Sequence, residues 1–141
     1  MNPYEAYHNV ERSLNVDDNP QQALIKVYQI LLEKLEIVKH AIENQNYLIK
    51  DRELSKITTA IEILDSSLDM SYGEIPKNIS SLYIYVLKRL RSVQITLDIK
   101  TLEECKSLLA KIGEGFKMAY EKEKRKTFSS EKQIKTISGM I

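Results

Sequence analysis

Leu24, Val27, Tyr28, Leu31, Leu35, Val38 and Ile42 recur at alternating steps of three and four residues, the period of one buried face of an α-helix. The rhythm returns with Leu54, Ile57, Ile61, Leu64 and Leu68, then with Ile79, Leu82, Tyr83, Val86, Leu90, Val93 and Leu97. A fourth run holds Leu102, Cys105, Leu109, Ile112 and Phe116. Four amphipathic helices with one stripe each can bury those stripes only against one another, around a common axis. Four glycines and three prolines leave little turn chemistry, so the connections are short and successive helices run antiparallel. The predicted fold is all-α, an antiparallel up-down four-helix bundle.

Local signals set the expected ends. Asn19 can cap the first helix, Pro20 suits its first position, and Gln22 falls at capping-box spacing; the helix should stop near Glu43 to Gln45. The second should run to about Met70, with Ser71-Tyr72-Gly73 as a left-handed stop. The third follows Pro76 and stops near Asp98, and the fourth opens with Thr101 and Glu104 in capping-box spacing. Gly113 and Gly115 fall inside that last helix, where they either permit close helix approach or mark a kink. The expected organisation is a mobile N-terminal flap over 1–18, the bundle over 19–121, and a basic tail over 122–141 that forms a short extra helix, extends the fourth or frays.

A chain of 141 residues suits one domain, and 43% apolar with 29% charged residues is the balance of a soluble globular protein. The start, Met1 to Val10, lacks a basic n-region and an apolar h-region, and no apolar run approaches the roughly 18 residues of a membrane span. The lone Cys105 cannot close an internal disulfide, so the expected compartment is the reducing cytoplasm. The net charge of +1 hides a bias, because Lys117 to Ile141 hold seven Lys/Arg against three Glu. Only Tyr120 and Phe128 interleave there as stacking groups, so the tail reads as a solvated end and no nucleic-acid partner is expected.

Catalytic and metal chemistry find no candidates. A di-iron bundle needs two Glu-x-x-His motifs, and this chain has one, Glu5-Ala-Tyr-His8, ahead of the bundle; His40 has Ile37 three residues before it. Cys105 sits on the apolar stripe of the fourth helix and reads as a core residue. No phosphate-cradling loop, nucleophile elbow or zinc spacing occurs, so neither an enzyme nor a bound cofactor is expected.

What the pattern does contain is an apolar surplus. At 100° per residue, Ile63 and Met70 point away from the stripe of their helix, as do Ile84 and Ile95 from theirs, and Ile30, Ile37 and Tyr85 also lie off-stripe. A second apolar set on neighbouring helices suggests an exposed groove; scattered surface residues or cover for a fifth helix are the alternatives.

Four segments in order carry a resemblance. These are Asn2-Pro3-Tyr4-x-Ala6-Tyr7, Asn19-Pro20-Gln21-Gln22-Ala23-Leu24, Leu64-x-x-Ser67-Leu68-Asp69-Met70-x-Tyr72-Gly73, and Ile79-x-x-Leu82-Tyr83-x-Tyr85-x-x-x-Arg89-Leu90. Over roughly residues 2–120 the chain resembles the FliS family of flagellar secretion chaperones. It departs at Val27-Tyr28-Gln29-Ile30, where the family usually reads Leu-Tyr-Asp-Gly, and the basic tail has no clear family counterpart. The resemblance implies a cytoplasmic export chaperone that binds the disordered C-terminal segment of flagellin, prevents premature polymerisation and delivers the subunit to the flagellar type III export apparatus. It implies further partners among FlgM, FliW and FlhA. The expected partner-binding residues are Tyr4, Tyr7, Ile30, Ile37, Ile63, Met70, Tyr72, Ile84, Tyr85 and Ile95. The free protein is expected to be a monomer or weak dimer, and the competing reading is a non-catalytic adaptor or self-associating structural bundle.

Overall fold

The computed structural model describes the backbone of residues 20–140 and the side chains of 20–122 apart from residue 120. Among the described residues four α-helices follow one another: α1 (Pro20–Glu43), α2 (Tyr47–Ser66), α3 (Glu74–Thr96) and α4 (Ile99–Met140), with one 3-10 turn, Met70–Tyr72, between α2 and α3. Each helix packs on its sequence neighbours, and α1 closes the ring against α4. The result is the antiparallel up-down four-helix bundle.

The core is built from the stripes. Tyr28, Leu31, Leu35, Val38 and Ile42 of α1 meet Leu54, Ile57 and Ile61 of α2, Tyr83, Val86, Leu90 and Val93 of α3, and Leu102, Cys105, Leu109 and Ile112 of α4, all buried. Leu82 does not join them and stays 39% exposed. Leu87, four residues beyond Tyr83, takes the inward place instead.

Several helix ends differ from expectation. Helix α2 stops at Ser66, short of Met70; Leu68 still packs on the core, and Asp69 accepts the Ser71 N–H at 3.0 Å to start the 3-10 turn. Gly73, at φ 88°, therefore does not end α2; it turns the chain into α3, which begins at Glu74, ahead of Pro76 and not after it. Pro76 falls in the first turn of α3, where a missing N–H costs no helical bond. Leu97 closes α3 in the left-handed conformation. Helix α4 opens two residues early, capped by Asp98 and not Thr101, since the Asp98 carboxylate accepts the Lys100 N–H at 2.9 Å and the Thr101 hydroxyl at 3.1 Å. The first helix begins at Pro20 as expected, while Asn19 and the flap at 1–18 lie outside the described residues.

Ion pairs fix the register between α1 and α4: Glu36 pairs with Lys106, and Lys39 with Glu103 at 3.1 Å. Numbers fall along α1 as they rise along α4, so Pro20 stands level with about residue 122. Helix α4 therefore outruns its partner, and 122–140 continue it as helix. Gly113 lies where α4 meets α1. A Cβ there would come within 3.0 to 3.1 Å of the Tyr28 ring and Cβ, so this glycine permits close approach.

Candidate partner-binding site

Helix edges sort the expected binding residues. On α3, Arg91 reaches across to Glu62 of α2 at 2.7 Å, which marks the α2-facing edge. Ile84 and Ile95, seven before and four after Arg91, share that edge and are 46% and 87% exposed. Met70 and Tyr72 stand at one end of the same edge, in the turn joining the two helices, and are exposed. These four residues form one line along the α2–α3 side, interrupted by the Arg91–Glu62 pair.

The remaining residues lie elsewhere. On α1, Lys34 bonds Glu53 of α2 at 2.7 Å, and Ile30 and Ile37, four before and three after it, fall on that α1–α2 edge. Ile37 is exposed and Ile30 half-buried, while Ile63 is half-buried on the outer side of α2. Since α1 and α3 are not ring neighbours, the off-stripe residues line two separate edges and not one groove. Tyr4 and Tyr7 lie outside the described residues.

Tyr85 occupies a third edge and is held by polar contacts. Its hydroxyl donates to Glu104 of α4 at 2.5 Å, and Arg89 pairs with the same carboxylate at 3.0 Å and reaches Thr101 at 3.3 Å. The Tyr85 hydroxyl bond, and then Arg89, hold the Glu104 carboxyl below its ordinary range. Two bonded partners at one carboxylate fix the α3–α4 contact, so Tyr85 is exposed in part while its hydroxyl is anchored.

Sequence patterning missed some exposed apolar residues. Leu48 and Ile75 are each 71% exposed, in the first turns of α2 and α3. The off-stripe test that singled out Ile84 would have found Leu48, which points nearly opposite the Leu54 stripe. Also missed was Lys50, which precedes Leu54 by one helical turn and is buried. Its ammonium pairs with Asp51 at 2.9 Å and donates to the Gln94 carbonyl near the end of α3 at 3.2 Å. A buried stem with a satisfied head explains a lysine on an apolar stripe.

Cys105 is fully buried and burial pushes its thiol up to about 11, the environment of an inert core cysteine. Among the described residues no cluster of His, Cys, Asp or Glu is placed to hold a metal, and no helix is long and apolar enough to cross a membrane. His40 is a surface residue, 3.9 Å from Glu43 on the same helix.

The all-helical bundle is similar in fold to a bacterial flagellar chaperone of solved structure. The likeness has a TM-score of 0.69 at 17% identity and covers 82% of this chain and 98% of that one. The model of the family described as "Flagellar protein FliS" matches residues 1–123, and the chain belongs to that family of flagellar secretion chaperones. It is 26% identical over 125 residues to the flagellar secretion chaperone FliS of Bacillus subtilis (strain 168), covering 89% of this chain and 91% of the relative. It is also 35% identical over 81 residues to the protein so named from Salmonella typhimurium (strain LT2), covering 54% of this chain. That match spans just over half, 58%, of the Salmonella protein's length. The family's role is that of a chaperone, which is non-enzymatic. Residues 124–141 lie beyond the family match.

Proposed function

We propose that this protein is a cytoplasmic export chaperone that holds the disordered C-terminal segment of flagellin. Holding it keeps the subunit from polymerising early and ready for the flagellar type III export apparatus. The observation that carries this reading, beside membership of the family, is the exposed line Met70, Tyr72, Ile84 and Ile95 along the α2–α3 edge. A disordered segment binds such an edge by folding into an amphipathic helix whose apolar face covers it, with the ordering cost offset by burial. The Arg91–Glu62 pair in the middle of the line offers both signs of charge to polar groups of the client. Ile30, Ile37 and Ile63 give a client that wraps the bundle a second edge, and FlgM, FliW and FlhA are further partners for the same surfaces.

Titration of a peptide from the C-terminal segment of flagellin into the Ile84→Asp and Ile95→Asp variants tests this assignment. Each should retain wild-type helicity by circular dichroism and lose at least tenfold in affinity, since docking would desolvate the new carboxylate. Unchanged affinity in both removes the α2–α3 edge from the account. The reading extends to Tyr4 and Tyr7, with residues 1–16 as a weakly docked flap that competes for the client surface. Deleting them should tighten peptide binding at unchanged helicity, because a competing state is removed. Weaker binding would make the segment part of the client site.

A further inference from the structure

The two halves of α4 are unlike. From Thr101 to Ile112 every turn buries a side chain, and Glu36, Lys39, Tyr85 and Arg89 tie this half to α1 and α3. After Ile112 the described side chains are exposed except Phe116, whose ring lies 5.9 Å from that of Tyr28. The change comes at Gly113 and Gly115. Gly113 is demanded by the Tyr28 ring, whereas a Cβ on Gly115 would meet nothing within 4 Å. Packing therefore does not call for Gly115, which simply weakens the helix where its hold on the core runs out.

The part of the core beneath this stretch is incompletely closed. Leu24, Leu64, Leu68 and Ile79, near the α1 start and the α2–α3 turn, pack on the core but are only partly buried. Asp65 lies close enough to act on Tyr83, and its Oδ1 is buried with no hydrogen-bond partner among the described residues. A buried acceptor left unpaired is costly and is relieved by a donor brought from outside. The turn carrying Met70 and Tyr72 is at this same end, so a partner on the α2–α3 edge runs directly onto it.

We propose that α4 from Gly113 onward is a separable arm hinged at Gly113–Gly115, and that its release opens the Tyr28–Tyr83 end of the core to a partner helix. The incoming helix carries an apolar anchor that replaces Phe116 against the Tyr28 ring. The partner half of this inference rests on the proposed function; the hinge does not. Local openings of this kind lie at the low-stability end of a fold and are read by hydrogen exchange.

Native-state hydrogen exchange on the full chain, wild type and Gly115→Ala, tests the hinge. Amides of 116–122 should exchange by local opening, far faster than those of 102–109, and Gly115→Ala should slow them about fivefold while leaving 102–109 unchanged. Equal protection of both stretches, or no slowing in the variant, overturns the hinge. A flagellin C-terminal peptide is the probe for the partner. Its affinity should fall about fivefold in Gly115→Ala, because the open fraction falls by that factor. Slowed exchange with unchanged affinity overturns the docking half alone. A wild type that binds no peptide overturns the docking half together with the proposed function, and the exchange data still decide the hinge.

Discussion

Tyr28 and Tyr83 meet hydroxyl to hydroxyl inside the bundle, joining helices that are not ring neighbours. Burial, then the neighbouring Tyr83, raises the Tyr28 phenol far above its ordinary value; burial likewise raises Tyr83, against the bond from Tyr28 and helped by the charge of Asp65. A raised folded value means that stability is full below the ordinary tyrosine pKa of 10.0 and is lost as pH climbs above it, because the unfolded chain ionises first. Urea unfolding at about pH 8 and at about pH 10.5 should therefore show a loss of stability that shrinks in the Tyr28→Phe/Tyr83→Phe double variant. The same loss in both proteins would mean that this pair does not govern the alkaline limit. Periodicity placed both tyrosines on core stripes, yet their meeting was not legible. It depends on the rotation of two non-adjacent helices and on Gly113 admitting the Tyr28 ring.

At the scale of the helix, inner and outer faces carry different consequences. Leu31 is 2% exposed at the centre of the α1 stripe, so Leu31→Ala should cost about 2–5 kcal/mol. Ile84 is nearly half exposed, and Ile84→Ala should stay within about 1 kcal/mol. Leu64 packs on the core only in part, which places Leu64→Ala between the two. Denaturant unfolding of the three variants checks the order, and equal losses would contradict the assignment of faces. The stripes were readable because each helix buries one side at a fixed period. The ends were less so: the Leu68 position continues the α2 stripe, but a 3-10 turn and not an α-helix carries the chain past it. Asp98 was overlooked as the α4 cap because Thr101 and Glu104 also fit a capping pattern; Thr101 is instead buried and bonded to Asp98 and Arg89. Exposure at Ile84 and Ile95 followed from their angle, whereas the division of the surplus between two edges needed the ring order of the helices.

For the whole molecule, the closed ring leaves the outer edges as the surfaces on which a partner segment can lie. The core absorbs the stripes, and the exposed apolar residues remain as surface that one amphipathic segment can cover along α2–α3 and a longer one can continue over α1–α2. The proposed client is a segment that is disordered when free and helical when held. Coupled folding of such a client onto an apolar edge buries a large area, and its robust thermodynamic mark is a negative heat-capacity change. Calorimetric titration of the flagellin C-terminal peptide into the unaltered protein at several temperatures measures it directly. The account predicts saturable binding with an enthalpy that becomes more negative as temperature rises, accompanied by a gain in helical circular dichroism from the peptide. No heat of binding, or binding with a temperature-independent enthalpy and a peptide that stays unstructured, would contradict it.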